Sequence, residues 1–200
     1  MRYLDLLTAL FATVLLVSNV ASTKLVVLGP FTFDGGTLLF PLAYIFGDVL
    51  TEVYGYRKSR RVIWIGFFAL LLATLTFQAV AHLPAPPDAE SQRFGEAFGL
   101  LLGSLLAYFL GEFANAYVLA KLKVRTEGRF FWLRALASTL VGQGLDTGVF
   151  LLVAFYGVFP KEVLLAVFLS NYAFKLGVEA LMLPFTYAVV GFLKRAEGMD

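Results

Sequence analysis

Asp48, Glu52, Glu112, Asp146, Lys175 and Glu179 are six ionisable side chains set inside stretches apolar enough to cross a bilayer. A charge at the centre of a membrane helix costs roughly 2.5–3.5 kcal/mol on insertion scales, while a Leu, Ile, Phe or Val returns only about 0.3–0.6 kcal/mol. A chain that only had to sit in lipid gains nothing from such residues. A chain that holds a polar solute at membrane depth needs them. Their spacing sorts them into stripes: Asp48 and Glu52 are i,i+4, Lys175 and Glu179 are i,i+4, Glu112 and Asn115 are i,i+3, and Gln143 and Asp146 are i,i+3. Residues so spaced share one face of a helix. Asn19 with Ser18 on the first apolar segment, and Asn171 with Tyr172 on the last, extend the polar lining.

Each stripe also has a packing explanation. Lys175 and Glu179 fit a self-neutralising pair, and Asp48 and Glu52 fit partners among Arg57, Arg60 and Arg61. Gln143 and Asp146 fit interhelical contacts, which average about 0.6 kcal/mol each in membranes. Glu112 and Asn115 have no cation in their own helical neighbourhood, which favours a ligand there. Five carboxylates face one Lys, a formal −4 if all are ionised, so protons, a bound cation or arginines reaching inward must balance them.

These residues need helices to position them, and the composition supplies them. Of 200 residues, 60% are hydrophobic and only 15% charged, with a mean hydropathy of +0.80. Soluble domains carry about 25% charged residues. There is no Cys and one His, which excludes disulfides, thiol catalysis and His- or Cys-rich metal centres. No metal or cofactor is expected. Six segments reach the roughly 20 apolar residues that a spanning helix needs: Tyr3–Thr23, Gly36–Tyr54, Val62–Ala81, Ala97–Leu122, Phe130–Tyr156 and Glu162–Leu193. The expectation is an all-α integral membrane protein, one six-helix domain over residues 1–200. The stretch HLPAPPDAESQRFGE, rich in proline and charge, reads as the one long external connection.

Basic residues set the orientation. Arg2, Arg57, Lys58, Arg60, Arg61, Lys121, Lys123, Arg125, Arg129, Arg134, Lys194 and Arg195 fall on one side, and Lys24, Arg93 and Lys161 on the other. By the positive-inside rule both termini are cytoplasmic. With a rise of about 1.5 Å per residue, Asp146 lies roughly 18 Å from Arg134, and Glu112 roughly 13 Å from Lys121. Both sit near mid-bilayer, where transporters of many folds hold substrate.

The same residues carry a resemblance. FPLAYIFGDVLTEVYGYRKSRR (Phe40–Arg61) resembles the signature of the queuosine-precursor transporter family, also called the vitamin uptake transporter family. SNVASTK, GEFANAYVLAKLK, RALASTLVGQGLD and NYAFKLGVEALMLP continue the match in order through five of the six segments. The resemblance implies an inner-membrane importer of 7-deazaguanine precursors of the tRNA base queuosine, in nitrile or aminomethyl form. It also implies an architecture similar to the substrate-binding subunits of energy-coupling-factor importers. Carboxylates suit the adjacent N–H donors of a guanine-like edge, Asn and Gln its carbonyl, and Tyr44, Phe113 or Tyr172 can stack on the flat base. The candidate binding residues are therefore Asn19, Tyr44, Asp48, Glu112, Asn115, Gln143, Asp146, Asn171, Tyr172, Lys175 and Glu179. Expected partners are the base and the bilayer, without nucleic acid; a homodimer is compatible with the chain.

Two alternatives stand beside this reading. One is a substrate-binding subunit of an ATP-driven vitamin importer. Such subunits dock through Ala-x-x-x-Ala on the first helix, where this chain has Ala9, Ala12 and Ala21 without that spacing. The other is an intramembrane metal-dependent enzyme, disfavoured because H-E-x-x-H and G-x-S-x-G are both absent.

Overall fold

The computed structural model describes residues 3–22, 24–28, 31–84, 101–155 and 160–198. Among these residues there are six α-helices: α1 (Leu4–Ala21), α2 (Phe40–Tyr54), α3 (Tyr56–Ala81), α4 (Leu101–Arg125), α5 (Phe131–Phe155) and α6 (Lys161–Glu197). Among the described residues, five of them are long and apolar enough to cross a membrane, all but α2. Beyond residue 84 the expected external connection lies outside the described residues, as do residues 97–100 of the segment expected to begin at Ala97.

The region between α1 and α2 departs from expectation. Two four-residue strands, β1 (Leu25–Leu28) and β2 (Phe31–Asp34), pair antiparallel with Leu25 opposite Asp34 and Leu28 opposite Phe31. A 3-10 turn, Gly35–Leu38, then leads into α2. Gly35 is required where this turn meets α1, since a Cβ there would lie 2.6 Å from the Ala21 carbonyl oxygen. The helix expected from Gly36 therefore starts at Phe40, with Pro41 in its first turn, where the missing N–H costs nothing.

At 15 residues α2 is about 22 Å long, short of the roughly 30 Å hydrocarbon core. It is surrounded by α1, α3, α4 and α6, and nearly every residue from Ala43 to Tyr54 is buried. A helix so enclosed faces protein, and its polar stripe meets other helices. Gly55, at φ 80°, makes a one-residue corner into α3. That corner starts α3 six residues earlier than expected, so Arg57–Arg61 form its first turns and not a loop.

The tight turn after α4 brings α5 back alongside it, with Glu127, Gly128 and Phe130 all at positive φ. At the far end of the chain, the Glu197 carboxylate accepts hydrogen bonds from the Tyr3 backbone N–H at 2.9 Å and the Tyr54 hydroxyl at 3.0 Å. The start of α1, the end of α2 and the end of α6 thus meet at one end of the molecule.

Burial is inverted relative to a water-soluble protein. Leu72, Leu75, Phe68 and Leu181 are exposed, whereas Asp48, Glu52, Glu112, Asn115, Gln143, Asp146, Lys175 and Glu179 are buried. Charged residues are almost never fully buried unless partnered, and soluble proteins rarely expose continuous apolar faces. Lipid outside and a polar interior satisfy both constraints.

Candidate functional site

Four helices bring their polar stripes to one place. From α2 come Tyr44 and Asp48, from α4 Glu112 and Asn115, from α5 Gln143 and Asp146, and from α6 Lys175 and Glu179, all buried. The Asn115 side-chain amide donates to Asp48 Oδ1 at 2.9 Å. Asp48 and Glu179 lie within hydrogen-bonding reach of one another. Asp146 and the Tyr44 hydroxyl meet at Gly111, the residue before Glu112. Lys175 Nζ lies 3.0 Å from Asp146 Oδ2, 3.4 Å from Thr147 Oγ1 and 4.7 Å from the centre of the Phe40 ring.

Three glycines make this convergence possible. A Cβ on Gly47 would sit 2.8 Å from Glu112 Oε2. One on Gly111 would sit 2.9 Å from both the Gly142 carbonyl oxygen and the Tyr44 hydroxyl, and one on Gly142 would sit 2.8 Å from Asn115 Cβ. Real Cβ atoms do not approach so closely, so α4 and α5 touch through bare backbone beside Tyr44, and Gly47 on α2 leaves room for the Glu112 carboxylate. Each of the three immediately precedes a polar cluster residue: Gly47-Asp48, Gly111-Glu112 and Gly142-Gln143. That dipeptide pattern was a readable signal, and residue-by-residue reading of the charges passes over it.

The cluster is rich in acceptors. Among the described residues, Asp48 Oδ2, both Glu112 carboxylate oxygens, Asn115 Oδ1, Gln143 Oε1 and Glu179 Oε1 have no hydrogen-bond partner, nor do the Tyr44 and Thr139 hydroxyls. Thr139, one turn before Gln143 on α5, was not singled out from sequence. A buried polar atom without a partner costs about 1–3 kcal/mol. An array of this kind is suited to a solute that presents several N–H groups.

Two of the packing alternatives are not formed. Lys175 does not pair with Glu179 on its own helix; it crosses to Asp146 on α5, while Glu179 turns toward Asp48 on α2. The i,i+4 spacing permits a local pair, but two interhelical contacts close α6 onto both neighbours. Glu52 does not pair with Arg57, Arg60 or Arg61, because the Gly55 corner turns those three outward to exposed positions. Its carboxylate binds Arg134 Nη1 at 2.6 Å, Lys194 Nζ at 2.9 Å and Lys123 Nζ at 3.3 Å. Arg134 is itself buried, donating also to the Gly128 and Arg129 carbonyls. This hub joins α2, α4, α5 and α6 next to the polar cluster; the sequence places Arg134 among the orienting cations and does not reveal its carboxylate partner.

The remaining candidates lie apart from the cluster. Asn19 donates to the Leu15 carbonyl and accepts from the Ser104 hydroxyl at 2.6 Å, joining α1 to α4. Tyr172 donates to the Leu140 carbonyl at 2.8 Å and stacks on Phe168. No contact joins Asn171 to the cluster among the described residues. Phe113 stands in an aromatic group with Trp64 and Phe109, about 100° around α4 from Glu112.

Comparison with known proteins identifies the family of the chain. Residues 34–189 match the family model described as "Putative vitamin uptake transporter". A protein of Bacillus subtilis (strain 168) named "Probable queuosine precursor transporter" is 36% identical over 184 residues, covering 89% of this chain and 80% of its own length. The "Queuosine precursor transporter" of Escherichia coli (strain K12) is 26% identical over 165 residues, covering 78% and 71%. A Haemophilus influenzae protein (strain ATCC 51907 / DSM 11121 / KW20 / Rd), also named "Probable queuosine precursor transporter", is 25% identical over 160 residues, covering 78% and 67%. No solved structure matches the chain significantly. A multi-pass helical protein with this interior, matched by the family model over well over half its length and 36% identical to a named transporter, belongs to the vitamin uptake transporter family, the family of the queuosine-precursor transporters.

Proposed function

We propose that this chain imports 7-deazaguanine precursors of queuosine and holds the base among Tyr44, Asp48, Glu112, Asn115, Gln143, Asp146, Lys175 and Glu179. The observation that carries this reading is the set of buried acceptor oxygens with no protein donor, above all both oxygens of Glu112. A guanine-like edge offers adjacent N–H donors that one carboxylate accepts together. Tyr44 packs beside Gly111 and Gly142 in the same cluster and offers a ring to the flat base. An aminomethyl substituent adds a cation to a cluster in which four carboxylates surround one ammonium; the neutral nitrile form relies on the hydrogen bonds alone. The names of the relatives point to the same substrate class.

The topology proposed is six crossings with both termini cytoplasmic. It is supported by the contact of Tyr3 with Glu197, which puts both chain ends together. With five long spans, that arrangement requires α2 to make a sixth pass from the hairpin to Gly55. The basic residues gathered at that end support a cytoplasmic position for it in an inner membrane. In this reading residues 1–200 form one transport domain resembling the substrate-binding subunits of energy-coupling-factor importers, acting without an ATP-driven module, as a monomer or homodimer. The Glu52 hub closes the cytoplasmic path below the base.

The test is thermal unfolding of detergent-purified protein with deazaguanine nitrile and aminomethyl bases, guanine and common vitamins. A ligand at a hundred times its Kd adds about 2.7 kcal/mol, so both deazaguanines should raise Tm measurably. Stabilisation by a vitamin, with none by either deazaguanine, would refute the assignment.

A further inference from the structure

A groove opens on the outer surface where the first turns of α3 pass α4. It is lined by Arg57, Lys58, Arg60, Arg61, Trp64 and Phe113 and encloses about 840 Å³. Among the described residues, four cations and two rings line it. Arg57, Arg60 and Arg61 are exposed, and among the described residues none of the three is paired with a carboxylate. They also occupy the N-terminal turns of a helix, where the backbone adds partial positive charge and cations are disfavoured. Such a field calls for an anion.

The surface next to the cations shows what else that anion carries. Trp64 stacks on Phe68, with centroids 5.7 Å apart, and meets Phe109 and Phe113 edge-on at 4.9 and 5.9 Å. Trp64 is 41% exposed and Phe68 59%, and Leu72 and Leu75 continue the face with exposures of 68% and 57%. Residues 64, 68, 72 and 75 follow helical spacing, so they form one ridge. Along α3 the order is therefore cations, then an indole, then aromatic and aliphatic surface. That is the order of a phospholipid: phosphate, interfacial glycerol, acyl chain. A free phosphate or a soluble acidic protein has no use for the apolar ridge.

We propose that this groove binds an anionic phospholipid, with its phosphate on Arg57, Arg60 and Arg61 and an acyl chain along Trp64, Phe68, Leu72 and Leu75. The site goes beyond the transport reading and is independent of which base the interior accepts.

The chain has two Trp residues, so full-length Trp132→Phe protein reports on Trp64 alone. Reconstituted in phosphatidylcholine vesicles, it is titrated with brominated phosphatidylglycerol or brominated phosphatidylcholine and Trp64 fluorescence is followed. The phosphatidylglycerol should quench with an apparent affinity about tenfold higher. The combined Arg57→Gln, Arg60→Gln and Arg61→Gln variant should bring the two lipids level. Equal quenching of the protein with intact arginines overturns the proposal without any need for the variant to fold. A preference that survives in the folded variant places the lipid elsewhere and overturns it as well. Inorganic phosphate that abolishes the preference, where chloride at matched ionic strength does not, identifies a free-phosphate site and overturns the lipid assignment.

Discussion

Glu112 and Asp146 are both buried carboxylates of the cluster, yet their partners differ and so do the expected consequences of altering them. Glu112 makes no hydrogen bond to protein among the described residues, so Glu112→Gln removes an acceptor from the ligand and leaves the fold intact. We expect isothermal titration to show deazaguanine affinity falling by about 1–3 kcal/mol, with no loss of Tm. Asp146 holds Lys175 at 3.0 Å, so Asp146→Asn strands an ammonium inside the protein. That substitution should lower Tm as well as affinity, by the roughly 3–5 kcal/mol typical of a broken buried pair. Equal Tm losses in the two variants would show that Glu112 is a packing residue.

At the scale of the helices, the α4–α5 crossing and the Glu52 hub fix the site. Gly142→Leu places side-chain atoms where Asn115 Cβ already sits, and overpacking of this sort costs about 1–3 kcal/mol. Gly177→Ala, on α6 with nothing within 4 Å of its new Cβ, should be neutral or stabilise by up to about 1 kcal/mol. Thermal unfolding of the two proteins side by side checks both. Arg134→Gln should be more damaging than either. It removes a guanidinium that ties Glu52 to the Gly128 and Arg129 carbonyls, and a drop in Tm and yield larger than that of Gly142→Leu is expected. A Tm close to that of the unaltered protein would mean that Lys123 and Lys194 suffice to hold Glu52.

For the whole molecule the decisive question is which end faces the cytoplasm. The chain has no Cys, so single cysteines report without background. Arg125 at the end of α4 and Leu83 just after α3 are both exposed and lie at opposite ends. In intact cells an impermeant thiol reagent should label Leu83→Cys and leave Arg125→Cys silent until the membrane is opened. The reverse pattern would invert the protein and place the Glu52 hub outside. Ser59 is unsuitable for this purpose, being fully buried and bonded to the Thr51 hydroxyl at 2.8 Å.

Hydrophobic runs of membrane length, the polar stripes within them and the family resemblance were all legible in the residues alone, because insertion energetics and i,i+4 geometry are local properties. Five long helices fall where those runs predict, with ends differing by a few residues. α2 was legible as a segment but not as a short enclosed helix, and the hairpin before it left no periodic trace in strands of four residues. Pairing was not legible at all. Lys175 has Glu179 one turn away and binds Asp146 twenty-nine positions back; Glu52 has three arginines within nine residues and binds Lys123, Arg134 and Lys194. A charged side chain reaches whichever neighbour the helix crossings bring near, and the α4–α5 crossing depends on Gly111 and Gly142 allowing backbones to touch. Spacing along the chain determines which face a residue occupies; only the packing of helices decides what that face meets.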